Sequence, residues 1–395
     1  MKTLASLFAL AVACQGPTAG QARAPRPEPV EIQRGPEPAR PSPREATKSA
    51  QSTRIAFGAD RVCLLRRGAL HCWSAFEGAK APVTRMTGLG EVVDVALGRE
   101  HGCALEASGR VLCWGGNSYG QLGAGSGAST ELAPVRVAGV EGAQALAAGS
   151  LHTCALLAEG NVSCWGWNAS GQTGSDVEYS EDARELVLPS RVPGITGASR
   201  IRASRDQTCA LVRARWSCWG RSYLDTEIAL ANEHPEPMAL PELDGVRELS
   251  LHDESACGVF DLGVACWGSG SFSLLGSRAL RPTRPLPVPL EGARSVVVSS
   301  YHACALLADG KVSCFGIDSQ GQLGRGRSDE SYHTFAPERV EGLPRASALQ
   351  LGPSTSCAVT ERDELWCWGV LPHVAVGPTN RGAAPTRIPV EDIVR

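Results

Sequence analysis

The chain has 395 residues, with 38 Lys and Arg against 41 Asp and Glu, a net charge of −3, and no basic run in its repeats. That excludes nucleic acid as a main ligand, because phosphate binding needs a concentrated basic face. Beyond the first few residues no segment is apolar enough to cross a membrane, and 44 Gly and 26 Pro with few helical periodicities point to turns and strands.

Lys2 precedes an apolar run, Leu4 to Ala13, of signal-peptide length and too short for a permanent span. It ends in Ala11-Val12-Ala13-Cys14, which resembles a bacterial lipoprotein signal, with Ala11 where Leu is usual. In that reading Cys14 is lipidated and becomes the new N-terminus. An ordinary secretory signal cleaved nearby is the other reading, and both export the chain. Pro17, Pro25, Pro27, Pro29, Pro36, Pro38, Pro41 and Pro43 follow, with scattered Arg and Glu and almost nothing to bury. Such a stretch cannot offset its ordering entropy and is expected to be an extended tether. The expected division is 1–14 signal, 15–50 tether and 51–395 repeat domain. Lipid and tether together would hold the domain at a bacterial membrane, and Gln15 resembles outer-membrane sorting if the host has two membranes.

From residue 51 onward, cysteines come in seven pairs: Cys63/Cys72, Cys103/Cys113, Cys154/Cys164, Cys209/Cys218, Cys257/Cys266, Cys304/Cys314 and Cys357/Cys367. Members of a pair stand nine or ten positions apart, and Trp follows the second in six cases, Phe315 in the seventh. Residues 92–139 show the unit. Val92–Leu97 reads as a first strand, His101–Leu105 as a second, Arg110–Trp114 as a third and Pro134–Val137 as a fourth. Thr53–Phe57 supplies the first strand of the first unit, and Glu391–Arg395 is placed to run back toward it. Four short strands in about fifty residues, seven times over, predict an all-β, seven-bladed β-propeller with four antiparallel strands per blade.

Folding the second and third strands about Ser108 sets Cys103 opposite Cys113 and Leu105 opposite Val111. A three-residue connection ending in Gly109 suits a type I turn with a left-handed glycine, and Ala158-Glu159-Gly160 and Ala308-Asp309-Gly310 repeat it. Pairs nine apart fit a two-residue connection such as Arg67-Gly68. The spacing changes with the turn and keeps the sulfurs opposed, so one disulfide per blade is expected. Zinc knuckles space cysteines two to four apart, and free thiols sit poorly with export. Each closed loop contributes about 2–3 kcal/mol by chain entropy. Alternation puts Leu105 and Val111 with the disulfide on one face, and Trp114, Leu112 and Ala104 on the other. Stacked blades would set the Trp of one against the sulfurs of its neighbour.

Written out, the repeat is Gly-x-x-His-x-Cys-Ala-Leu-x-x-x-Gly-x-Val-x-Cys-Trp-Gly-x-Asn-x-x-Gly-Gln-Leu-Gly. Residues 98–123, 149–174 and 299–324 carry it best, with Ser299, Thr173 and Asp318 as departures. Ser74, Arg221-Ser222-Tyr223, Gly268–Ser271 and Val370-Leu371-Pro372 break it in units one, four, five and seven. The string resembles the regulator of chromosome condensation repeat family over about residues 52–395. The resemblance implies a seven-bladed propeller working by protein contact on one face. The family includes a nuclear guanine-nucleotide exchange factor and an exported bacterial inhibitor of β-lactamase. Exchange activity is not carried over to an exported chain, and fold alone does not license function.

His101, His152 and His302 each lie two before a cysteine, one per blade, too dispersed for one metal and suited to structural hydrogen bonds. His252-Asp253-Glu254-Ser255 has the residue types of a hydrolase triad, but neighbours on a strand point apart. The acidic segment Asp176, Glu178, Glu181, Asp182 and Glu185 lacks calcium-loop spacing. With enlargements at 221–237 and 325–336, it belongs to the connection between third and fourth strands. Those connections carry Tyr179, Tyr223, Tyr332 and His333, the candidate contacts for an unidentified protein partner. The expectation is a monomeric, non-enzymatic binding scaffold without cofactor or metal, attached to a membrane only by lipid. The alternatives are an inhibitor of a secreted enzyme, or a hydrolase or lyase using the propeller cleft.

Overall fold

The opposed cysteines of each hairpin are a geometric demand that the computed structural model meets in full. It describes residues 53–74, 82–125, 128–175, 188–221, 233–253, 255–268, 285–327, 333–370 and 381–393. Chain contacts divide the sequence into residues 1–42 and 43–395, and all described residues belong to the second unit. The leader with Cys14 and the Pro-rich stretch 15–50 lie outside them.

In the second blade the strands are Val92–Leu97, His101–Glu106, Val111–Gly116 and Thr130–Arg136. The first three match the sequence reading to within two residues. The fourth starts four residues early, because Gly116 pairs with Thr130 and Gly115 with Glu131 before a bulge brings Val135 opposite Cys113. That pairing is made by backbone groups, which the polar Ser-Thr-Glu side chains do not advertise. Among the described residues the strands form seven such antiparallel sheets, each of four strands consecutive in sequence.

Cys103 faces Cys113 and Leu105 faces Val111, as the spacing requires. In all seven blades the paired Cα atoms are 4.0–4.2 Å apart. The two-residue turn Arg67-Gly68 has both residues left-handed, φ 49° and 76°, the twist a tight hairpin needs. Arg213-Ala214 makes the same turn, φ 49° and 64°, without a glycine, at a cost of about 1 kcal/mol per residue. Gly109, φ +81°, is required twice over: a Cβ there would lie 2.9 Å from Gly142 Cα. In Ala158-Glu159-Gly160 the left-handed stretch extends to Glu159, φ 65°, one residue beyond the expected turn.

The two faces of each blade separate as alternation dictates. Cys103, Leu105, Val111 and Cys113 pack against Ala155, Leu157 and Trp165 of blade 3. Ala104 and Trp114 pack against Cys63, Leu65 and Cys72 of blade 1. The pattern repeats with Trp219 on Cys154 and Cys164, Trp267 on Cys209 and Cys218, Phe315 on Cys257 and Cys266, and Trp368 on Cys304 and Cys314. Trp73 covers Cys357 and Cys367, so blade 7 meets blade 1 as any two neighbours meet. Each buried indole withdraws enough area for about 4–6 kcal/mol of transfer free energy.

Around the axis the first strand of each blade touches that of the next, blade 7 touching blade 1. The wheel closes without a strand shared between its ends. Thr53 N donates to Asp363 Oδ1 at 2.6 Å, and Arg66 pairs with Glu391 at 3.1 Å. The short helix Val390–Ile393 buries Val390 and Ile393 with Ile55, Val62 and Leu64 of blade 1. The C-terminal segment thus runs back to the first blade. The fourth strands are outermost. In six blades a proline (Pro134, Pro189, Pro237, Pro285, Pro337, Pro385) immediately precedes the residue opposite the second cysteine. Proline on an edge removes a donor that another chain could use.

Candidate interaction face

Strand direction alternates, so two connections leave each blade at the same end: the turn from first to second strand and the link from third to fourth. This end is the loop rim. The cysteine hairpins and the links between blades form the other, the hairpin rim.

On the loop rim the Gly-Gln-Leu-Gly string folds by bonding to itself. Asn117 Oδ1 accepts from Leu122 N at 3.0 Å, and Gln121 Oε1 accepts from Tyr119 N at 2.7 Å. Asn168 and Gln172 do the same for Thr173 N and Ser170 N, and Asp318 and Gln322 for Leu323 N and Gln320 N. Asp318 replaces the usual Asn and binds Arg325 Nε at 2.7 Å through its second oxygen. Burial pushes its carboxyl upward, and the Leu323 amide and Arg325 oppose that. Each loop also grips the next blade. Gln121 O accepts from the Trp165 indole, Gln322 O from that of Trp368, both at 2.8 Å, and Gln172 O from the Thr208 hydroxyl at 3.0 Å.

These fixed loops present aromatic surface. Tyr119, 40 % exposed, meets Trp167 of blade 3 edge to face, ring centroids 4.4 Å apart. Trp167 N donates to Leu151 O at 2.9 Å, and Leu188 and Tyr301 stand exposed on the same rim. Of the candidates read from sequence, Tyr179, Tyr223 and Tyr332 lie outside the described residues. His333 is exposed and tilts against Phe335 at 5.8 Å on the outermost strand of blade 6. It does not join the Tyr119–Trp167 pair, which sits at blades 2 and 3. That pair was passed over in the sequence because Tyr119 lies inside a string with an evident structural role.

Model matches place this repeat. Two family models, each described as Regulator of chromosome condensation (RCC1) repeat, match residues 92–121, 144–172 and 293–322 and residues 108–156. Residues 92–172 and 293–322 thus carry RCC1 repeats. It is 30% identical over 297 residues to the mitochondrial RCC1 domain-containing protein RUG3 of Arabidopsis thaliana, covering 70% of this chain and 65% of that protein. It is 25% identical to the Arabidopsis ultraviolet-B receptor UVR8 over 71% of this chain and 65% of that one. Human HERC6, a probable E3 ubiquitin-protein ligase, is 26% identical over 69% of this chain. The chain thus spans just under two thirds of the two plant proteins' length and 28% of HERC6. Human WBSCR16 superposes with a TM-score of 0.67 at 20% identity, over 78% of this chain and 84% of that one. Prp20p of Saccharomyces cerevisiae, studied for its binding to Gsp1p and histones, does so at 0.65 and 18%, over 87% and 88%. At those identities the superpositions speak for the fold.

The histidines of this RCC1 repeat chain take the structural role. His101 Nε2 meets Thr153 Oγ1 at 2.8 Å, His152 Nε2 meets Thr208 Oγ1 at 2.8 Å, and His302 Nε2 meets Ser356 Oγ at 2.7 Å, each across a seam between blades. Because Thr208 and Ser356 donate onward to Gln172 O and Gln322 O, Nε2 of His152 and of His302 is the donor to its hydroxyl. Burial lowers His101 to about 4, and His152 and His302 to about 3. The hydroxyl partners were missed in sequence, although Thr or Ser precedes the first cysteine only in the blades that follow those histidines.

Two other groupings fall short of catalysis. His252 Nε2 lies 2.9 Å from Ser300 Oγ and 3.7 Å from Asp253 Oδ2. A triad needs serine and carboxylate on opposite ring nitrogens, and here both face one. At the axis, burial raises Asp94, but its oxygens are held by Arg54 at 3.2 Å and by the Val95 and Leu146 amides, which stitches blades 1, 2 and 3. Across from it Arg200 and Arg202 hold Glu248, and Arg202 Nε donates to Leu249 O at 2.9 Å. Among the described residues, no three His, Cys, Asp or Glu gather into a metal cradle.

Proposed function

We propose that this RCC1 repeat protein is an exported propeller that binds another protein through its loop rim and is held to a membrane by lipidated Cys14 and the tether 15–50. The observation carrying the binding reading is the pair of exposed Tyr119 and half-buried Trp167, mounted on loops fixed by their own side chains. Rigid aromatic surface of that kind anchors protein interfaces at low entropic cost. The binding described for Prp20p supports the reading by analogy. Seven stitched cysteine pairs support an oxidising compartment. The ligase name of HERC6 does not transfer, because the chain spans 28% of that protein.

Photo-crosslinking tests the surface. A crosslinker at position 119 or 301 is expected to capture a discrete protein, and one at position 213 on the hairpin rim is not. Equal capture from both rims, or capture of a saccharide alone, sinks the reading. Metabolic labelling with a fatty-acid probe tests the anchor: label is expected in the full chain and absent from Cys14→Ala.

A further inference from the structure

Among the described residues, three of the seven seams carry a histidine–hydroxyl hydrogen bond beside a disulfide, and the other four have none at that place. The hydroxyls of Thr153, Thr208 and Ser356 stand 3.7, 3.7 and 3.8 Å from the sulfurs of Cys103, Cys154 and Cys304 of the preceding blade. Each is held there by the histidine of that same blade, and Thr208 and Ser356 are held again by a Gln carbonyl. The corresponding pairs elsewhere are Arg61 with Gly102, Gln207 with Ala256, Ser255 with Ala303, and Thr355 with Val62. Gly, Ala and Val supply no side-chain partner, so no hydroxyl from that position stands against those sulfurs.

We propose that these bonds grade the disulfides by their resistance to reduction, so that a dithiol reductant opens those of blades 1, 4, 5 and 7 before those of blades 2, 3 and 6. A thiolate must approach one sulfur in line with the S–S bond, and the packed seam denies that approach until neighbouring blades part. Parting a bonded seam at the disulfide strips a buried imidazole and a buried hydroxyl of their partners, whereas at the same place in the other seams no such pair is broken. The cross-blade bonds of the other seams lie away from the sulfurs: Arg54–Asp94 and Arg202–Leu249 at the axis, His252–Ser300 on the loop rim, Arg66–Glu391 at the closure. Exposure points the same way for blades 1 and 4 and does not separate blades 5 and 7, whose cysteines are fully covered too. Cys72 and Cys218 are 4 % and 3 % exposed, and the six cysteines of blades 2, 3 and 6 are fully covered.

The chemistry balances on the reagent. One thiolate attacks a cysteine sulfur, and the bonding pair of the S–S bond leaves on the partner cysteine as a thiolate. The second thiol of the reagent then displaces the first, closing a cyclic disulfide. Two electrons pass to the protein, and both cysteines end as thiols. In mild reductant the wheel would lose some stitches while the bonded arcs keep theirs, a staged response to redox conditions.

The test treats the full chain with dithiothreitol under native conditions, quenches by alkylation at intervals, and maps the modified cysteines by mass spectrometry. Cys63–Cys72 and Cys209–Cys218 are expected first, and the three bonded disulfides last, slower by about fivefold or more, the weight of one net hydrogen bond. Thr153→Val keeps the shape of the side chain and removes the hydroxyl, and is expected to move Cys103–Cys113 alone into the faster class. The pair Gln207→His with Ala256→Thr builds the missing bond and is expected to slow Cys209–Cys218. A single common rate for all seven, or early loss of the bonded three, overturns the proposal. So does an unchanged rate at Cys103–Cys113 in Thr153→Val; should that variant not fold, the order in the unaltered chain and the Gln207→His/Ala256→Thr result decide.

Discussion

On the hairpin rim, turns of two or three residues join strands clamped by sulfur, and ion pairs such as Arg215–Asp244 and Arg345–Glu361 bridge neighbouring connections. On the loop rim, the link of blade 2 runs from residue 117 to 129, held by Asn117 and Gln121, with Tyr119 facing solvent. One rim leaves little freedom in either length or conformation. The other fixes its loops from within by side chain to backbone bonds, which leaves their outward positions open to chemistry. The contrast teaches that the stitched hairpins and the proposed binding surface are separated along the wheel axis.

The largest expected effect sets a seam residue against a rim residue. Trp165→Ala removes an indole packed on Cys103 and Cys113 and its bond to Gln121 O, and should cost about 3–5 kcal/mol in urea unfolding. Tyr119→Ala should cost under about 1 kcal/mol while removing partner capture. Comparable losses of stability would erase the division between the rims.

Acid probes the seams next. His101, His152 and His302 have folded pKa values of about 4, 3 and 3, below the unfolded value near 6.5. Their contribution is therefore complete above pH 6.5 and is lost as pH falls from there toward 4 and 3. His152→Gln should flatten the pH dependence of unfolding over that window; an unchanged slope would mean the rings are not buried neutral.

Turn glycines sharpen the comparison further. Gly109→Ala on the hairpin rim meets Gly142 at 2.9 Å and should cost about 2–3 kcal/mol. Gly326→Ala on the loop rim has the same left-handed backbone but open space around it, and should cost about 1 kcal/mol. Smallest of all, Arg215→Ala should fall within about 0.5 kcal/mol by thermal unfolding, since both it and Asp244 are solvent-exposed.

The hairpins were legible because sulfur and turn length obey one local rule, visible within ten residues. Stacking of Trp114 on Cys63 and Cys72 followed from alternation, a period that survives in any single blade. The bond from His152 to Thr208 was half legible, because its partners are 56 residues apart and only the histidine repeats conspicuously. Closure by Val390 and Ile393 was visible only as a direction of travel, since four residues of helix carry no periodicity worth reading. The Tyr119–Trp167 pair escaped notice because exposure is a property of the assembled rim, whereas the repeat shows only which positions recur. The early start of the fourth strand escaped for a related reason, as pairing at an outer edge belongs to the peptide groups.

Each blade is a single uninterrupted stretch of chain, and the first and last meet through side chains. No sector depends on being made from both ends of the polypeptide. The ring therefore has no privileged starting point: joining residue 393 to residue 53 by a short linker and cutting instead at an exposed inter-blade link, such as 138–139, should give the same wheel with its ends moved to another spoke. Evolution or an engineer can thus choose which sector carries the chain ends without touching a blade.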